Sequence, residues 1–491
     1  MAESNPALDG KRSGELVIPS DLDRARRLAR AGKARRITRG LYTENIDEPL
    51  DRVVRRNWLQ VLGLLYPGSV LIGRSAVLAR PTEEGRLYID AGDRKSVDSV
   101  EVGPLGIGLR PGPGPLDGDI GMAELFLAGR SRAALDNLIP SRAGKAPPWT
   151  LSRSELEDWL SGLADRDGEA ELNRLRDHAR ELATEQGDQW LARYRELDEI
   201  IGSILGTRDA PLAGAQAVAR RQGVPYDGPR LDLFDLLRNE LLGQAPAELS
   251  TCSGVGEVAA FYEAYFSNFI EGTEFTVEEA SEIVFDGIVP ADRPEDAHDL
   301  VGTFRAAVDK RRNRAVPESA DELIAIARST NALVLDQRLD KRPGEFKERA
   351  NQAGATLFVR PELVEGTLRA GWSYYESLPA GYARAVFMMF LVSEVHPFAD
   401  GNGRTARLMM NAELTAADLC RFIVPISYRE DYLGGLRALS RTNNPEPLGR
   451  VVARILRWVG GVDWSTTESA QSDLTVVHAF DDGADARLRI P

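Results

Sequence analysis

The sequence predicts a mainly α protein: a helical bundle with one β-hairpin, preceded by a smaller α/β region. Three observations predict it. Residues 198–462 carry one amphipathic helical pattern after another, with apolar positions three and four apart. Strand signals are few in that stretch, the clearest being ATLFVRPEL. Short β-type runs, SVLIG, RLYID and SVEVG, cluster instead before residue 140, separated by turns.

The polar residues 1–14 read as a disordered tail without signal-peptide character. Residues 15–140 read as a small α/β region. Within it IPSDLDRARRLARAGKARRITRGLYT gives a helix with Leu22, Ala25, Leu28 and Ala29 on one face, a stop at Gly32, and a basic hairpin. That order is similar to winged-helix DNA binders and resembles the N-terminal module of AbiEi-type antitoxin regulators. Arg24, Arg26, Arg27, Arg30, Lys33, Arg35, Arg36 and Arg39 form a basic cluster there. It reads either as a DNA-binding surface or as a solvated face whose arginines pair with nearby acids. A Pro/Gly-rich loop, LRPGPGPLDGDIG, follows; residues 141–197 read as a linker and charged helices, and 463–491 as a polar tail.

Composition narrows the functional classes. A chain of 491 residues with 43% hydrophobic and 28% charged residues is globular and too long for one core. A net charge of −14 excludes non-specific nucleic-acid or membrane binding by the whole surface. No apolar run reaches membrane-spanning length. Cys252 and Cys420, far apart in sequence, suggest no disulfide framework, so a cytoplasmic protein is expected. The four histidines lie at no metal-ligand spacing, which leaves zinc and non-haem iron without a ligand set.

The densest chemical signal is HPFADGNGRTAR, residues 396–407. Pro397 stops an apolar helix directly after His396, presenting the imidazole at a helix end. Phe398 anchors the loop. Gly401, Asn402 and Gly403 start the next helix, where consecutive backbone N–H groups and the helix dipole make an anion nest. Arg404 and Arg407, three apart, project from its first turn, so nest and guanidinium groups together suit a polyphosphate. Asp400 is a candidate magnesium ligand and His396 the candidate base near neutral pH.

This segment matches the Fic family signature, H-x-F-x-D/E-G-N-G-R-x-x-R, at every specified position. The resemblance implies a Fic-type helical bundle with a β-hairpin flap. It also implies transfer of AMP from Mg2+-bound ATP to a Ser, Thr or Tyr hydroxyl of a protein. His396 would be the general base and Asp400 the metal ligand. Gly401 and Gly403 would cradle phosphate, Asn402 and Arg404 contact the α- and β-phosphates, and Arg407 the γ-phosphate. Upstream, Ser267-Asn268-Phe269-Ile270-Glu271-Gly272 resembles the family's inhibitory motif, S/T-x-x-x-E-G/N. There Glu271 would pair with Arg407 in the γ-phosphate's place. Gly272 would permit close backbone approach, and Ser267 would bond locally.

The flap is expected in residues 355–364, with Pro361 at its bend and Leu357 and Phe358 against the nucleotide. Tyr432, in SYREDY, is expected to contact the nucleotide. The asparagine that relatives often carry two turns later is replaced by Ser440, which leaves Asn443 as the candidate adenine contact. Alternative readings are a DNA-binding regulator that responds to ATP, removal of AMP by the same site, or use of another nucleotide donor.

Overall fold

The computed structural model describes residues 8–93, 96–141, 147–243, 249–252, 256–483 and 488. Most of the linker expected at 141–149, and parts of both expected tails, lie outside these residues. The chain divides into two compact units, Met1–Arg221 and Gln222–Pro491. The helix Asp188–Ile204, whose end was expected to open the catalytic region, packs in the first unit.

In the first unit a four-stranded antiparallel sheet runs in the order Gly10–Ser13, Leu16–Pro19, Leu41–Thr43, Arg35–Thr38. The helix Leu22–Arg30 packs on it through Ala25, against Val17 and Tyr42. Asp21 caps that helix by accepting from the Asp23 and Arg24 N–H groups. The expected helix and hairpin are thus present, and strand Gly10–Ser13 occupies part of the expected tail. Much of the basic cluster is already engaged. Arg24 pairs with Asp9 and Arg26 with Asp23, each at 3.0 Å, and Arg35 donates to the Asn45 carbonyl at 2.8 Å. Arg27, Arg30, Lys33 and Arg39 are exposed.

The same unit holds a six-stranded mixed sheet that places Arg86–Asp90 beside Val70–Leu71 on one side and Leu105–Arg110 on the other. Arg132, fully buried beneath it, is neutralised by Asp90 at 2.7 Å and Asp119 at 2.6 Å. A buried guanidinium without such partners would be prohibitively costly.

The second unit is a helical bundle built around Tyr382–Val395, hereafter the base helix. Twelve of its residues are buried, Phe387 and Phe390 among them, which marks a helix surrounded on all sides. Phe234 meets both rings edge to face, with centroids 5.8 and 6.2 Å apart. The helix Asn402–Ala416, hereafter the motif helix, packs along the base helix. Gly302 lets the helix Pro294–Val308 cross Ala320–Val334 closely: a Cβ there would lie 2.3 Å from the Val334 carbonyl oxygen.

Three expectations are corrected. Cys252 and Cys420 form a disulfide, with Cα atoms 4.8 Å apart. Their separation of 168 residues concealed that they adjoin an antiparallel bridge, Thr251 to Leu419, which joins the lead-in of the helix Glu257–Ile270 to the end of the motif helix. The two cysteines therefore lend no support to the expected cytoplasmic location. The polar stretch after residue 463 contains a helix, Thr467–Val476, that buries Ala470 and Leu474, so its few apolar positions suffice to dock it. The hairpin pairs Gln352–Ala353 with Thr356–Leu357 across a turn at Gly354, where φ is 57°. It begins earlier than expected because glycine supplies the left-handed turn, while Pro361 starts a short 3-10 helix. Among the described residues no helix is long and apolar enough to cross a membrane.

Candidate active site

The base helix ends at His396, whose φ of 52° and ψ of 58° are left-handed. Proline at 397 disfavours the right-handed helical conformation for the residue before it, and the loop beyond fixes the strained alternative. Phe398 donates its N–H to Asn402 Oδ1 at 2.8 Å, and Asn402 Nδ2 returns a bond to the Phe398 carbonyl at 2.9 Å. Asn331 Nδ2 donates to the Asp400 carbonyl at 2.9 Å. Gly401, at φ 72°, is the N-cap of the motif helix, and no side chain caps that helix. Its first-turn N–H groups therefore remain available to an anion.

His396 Nδ1 lies 3.2 Å from the Ser393 carbonyl, a contact that holds the proton on Nδ1 and leaves Nε2 as the acceptor. The ring stacks on Phe358 with centroids 3.8 Å apart and planes 7° from parallel. Burial pushes its pKa down to about 4, against the opposing bond to Ser393, so the imidazole is neutral at physiological pH. Neutral, with a defined tautomer, is the state a general base requires.

Arg407 emerges from the motif helix with its side chain 4% exposed. The helix Glu257–Ile270 grips it at three points. Nε donates to Ser267 Oγ at 2.9 Å, while Nη2 donates to the Ser267 carbonyl at 2.9 Å and to Glu271 Oε1 at 2.6 Å. Burial raises the Glu271 carboxyl, but the positive charges of Arg407 and Arg404 outweigh it and leave its pKa below the ordinary value. A Cβ at Gly403 would sit 2.2 Å from Glu271 Oε1, so glycine is what allows this carboxylate to rest over the motif helix. The Glu257–Ile270 helix is itself anchored to the motif helix: Glu263 pairs with Arg421 and accepts from Asn411 at 2.9 Å.

His396, Phe358, Glu271, Gly403, Arg407 and Tyr432 all line one cavity of about 530 Å³. Other expected residues stand behind it. Arg404 is spent on Asp299 at 2.5 Å, Asn268 at 3.1 Å and Asp400 at 3.3 Å. Asn402 clamps the loop, and Gly272 follows Glu271 at φ 99°. Leu357 is 65% exposed on the hairpin, outside the cavity lining. Asn443, the left-handed C-cap of the helix Arg429–Thr442, is exposed and likewise does not line the cavity.

Asp400 accepts from the Gly401 N–H at 2.6 Å and keeps its side chain 38% exposed. No group of three or more metal-ligating side chains exists among the described residues. One accessible carboxylate beside an uncapped helix start does fit magnesium, which on nucleotides is held largely by phosphates and water.

Sequence reasoning missed Lys347 and Asn351. Lys347 is buried, donating from Nζ to Asn351 Oδ1 at 2.6 Å and to the Val395 carbonyl at 3.4 Å. Asn351 Nδ2 donates to the Phe398 carbonyl at 3.0 Å, and its own carbonyl accepts from the Phe358 N–H at 3.2 Å. The pair thereby ties the hairpin to the loop that follows His396. Nothing in the local string KERAN marks it.

Residues 318–414 match the model of the Fic/DOC family. A Fido domain-containing protein of Dictyostelium discoideum is 34% identical over 104 residues, 20% of this chain and 72% of that protein. The protein adenylyltransferase Fic of Nematostella vectensis is 26% identical over 270 residues, 50% of this chain and 58% of that one. The protein adenylyltransferase fic-1 of Caenorhabditis elegans is 26% identical over 228 residues, 44% and 45% of the two chains. The chain thus spans about half the length of the two adenylyltransferases.

Proposed function

The chain belongs to the Fic/DOC family, and on that premise we propose that it transfers AMP from ATP to a Ser, Thr or Tyr hydroxyl of a protein. Glu271 holds the wild type nearly silent. The observation that carries this reading is the convergence of His396, Gly403 and Arg407 on one cavity, with Glu271 seated on Arg407.

In the reaction, His396 Nε2 takes the proton of the target hydroxyl. The oxygen attacks the α-phosphorus, forming a P–O bond as the bond to the β-phosphate oxygen breaks, and pyrophosphate leaves. The uncapped start of the motif helix and Gly403 support the phosphates, and Arg407, once free, binds the terminal phosphate. Asp400 would hold magnesium, which neutralises phosphate charge when bound. Phe358 steadies the imidazole by stacking.

Glu271 occupies the donors that the terminal phosphate needs, so ATP enters only in a pose that misaligns its α-phosphate. Intact-mass spectrometry of Glu271→Gly incubated with MgATP tests the assignment. Adducts of one or more AMP units, missing when His396 is also Ala, are expected. An adduct of phosphate mass would instead mean kinase chemistry.

A further inference from the structure

The cavity extends beyond its phosphate end to the helix Arg429–Thr442, where Leu433 and Leu436 give apolar surface and Glu394 and Ser440 form a polar corner. Glu394 lies in the last turn of the base helix, two residues before His396, with its side chain 4% exposed. A carboxylate so buried is sustained only by partners. Arg230 pairs with Oε1, and the Ser440 hydroxyl donates to Oε2 at 2.5 Å. Arg230 also donates to the Leu357 carbonyl on the hairpin.

The hydrogen-bond inventory of this corner is one-sided. An ionised carboxylate only accepts, and each oxygen keeps a lone pair after the bonds just named. The single Ser440 proton is directed to Glu394, with the Leu436 carbonyl at 3.0 Å as its alternative, so toward a ligand the hydroxyl also accepts. The nearby donors, Arg437 and Arg441, lie at the exposed rim and engage Glu430 and the Thr356 hydroxyl. At the Glu394–Ser440 corner the cavity thus offers two acceptors beside the apolar wall of Leu433 and Leu436.

We propose that Glu394 is a specificity-determining residue that selects a nucleobase presenting an exocyclic amino group and rejects one presenting a carbonyl oxygen at that place. The proposal rests on the nucleotidyl-transfer reading of this cavity and adds the residue that selects its base. Adenine donates a 6-amino N–H to Glu394 while its ring lies against the leucines. Hypoxanthine has the same outline but carries an oxygen at position 6, and that oxygen would face the carboxylate. A site built around one polar group of its ligand discriminates strongly against an analogue that cannot pair with it.

The test is isothermal titration of the full chain carrying Glu271→Gly with the Mg2+ complexes of ATP and inosine triphosphate. ATP is expected to bind about tenfold or more tightly than inosine triphosphate. Adding Glu394→Gln, whose amide donates as well as accepts, should bring the two affinities within about threefold. Should that variant misfold because Arg230 loses its partner, the pair Glu394→Gln/Arg230→Gln removes both charges and carries the same comparison. Equal affinities with Glu394 intact, or a preference unchanged by its replacement, overturn the proposal and leave nucleotidyl transfer standing. Binding of neither nucleotide removes both.

Discussion

Replacing Glu271 with glycine takes away the carboxylate partner of the Arg407 guanidinium and leaves the two hydrogen bonds to Ser267. A hydrogen bond to a charged partner contributes about 1.5–3 kcal/mol. Glu271 keeps 35% of its side chain exposed, so the lower part of that range applies. At about 1.4 kcal/mol per tenfold, productive engagement of the terminal phosphate, and with it the transfer rate, should rise roughly 10- to 30-fold. Ser267 continues to orient Arg407 in the variant, so the gain is release of a donor without loss of its position. The assay is pyrophosphate release from MgATP by wild type and Glu271→Gly. Glu271→Gln, which keeps the volume and loses the charge, should fall between them. A Glu271→Gly protein that binds ATP yet works no faster than wild type would refute the reasoning.

Five other outcomes are expected. Because burial lowers His396 to about 4, the base titrates well below an ordinary histidine, so transfer should hold steady as pH falls from roughly 7 to 5 and drop only below that; an acid limb near 6.5 would contradict the assigned environment. The same depression makes His396's stability contribution complete above about pH 6.5 and progressively lost as pH falls toward 4, readable in thermal melts. Lys347→Met and Asn351→Ala should each lower kcat about 10- to 100-fold with little change in KM for ATP, since both position the catalytic loop and neither lines the cavity; a change confined to KM would contradict this. Cys252→Ser should cost about 2–5 kcal/mol in denaturant unfolding under oxidising conditions and nothing under reducing ones. If the N-terminal basic face binds DNA, Arg27→Glu/Arg30→Glu should abolish a salt-sensitive gel shift of duplex DNA by the full chain; retention by the variant, or no shift by either protein, would remove that partner.

The features legible in the sequence were those encoded in short, contiguous patterns. His396, Gly401, Gly403 and Arg407 share one twelve-residue string, so proline, glycine and helix periodicity sufficed to place them around a helix start. Glu271 and Ser267 lie 136 and 140 residues before Arg407, and only resemblance tied them to it; the structure joins them by side-chain bonds that periodicity does not encode. Nothing in the local sequence marks Glu394, because its partners Arg230 and Ser440 come from two other helices. Lys347 is unmarked for the same reason, since one of the two acceptors of its ammonium is the Val395 carbonyl, 48 residues away at the end of the base helix. The disulfide likewise needed tertiary structure, and the hairpin was misplaced because Gly354 is a weaker cue than the apolar run that follows it.

The central claim, AMP transfer restrained by Glu271, is tested most directly by label retention on protein from α-labelled and γ-labelled ATP. Wild type, Glu271→Gly and Glu271→Gly/His396→Ala are to be compared side by side, with auto-modification scored. The account predicts label from the α position alone, strong in Glu271→Gly, faint in wild type and absent from the double variant. Label from the γ position, or α label of equal strength in wild type and Glu271→Gly, would contradict it.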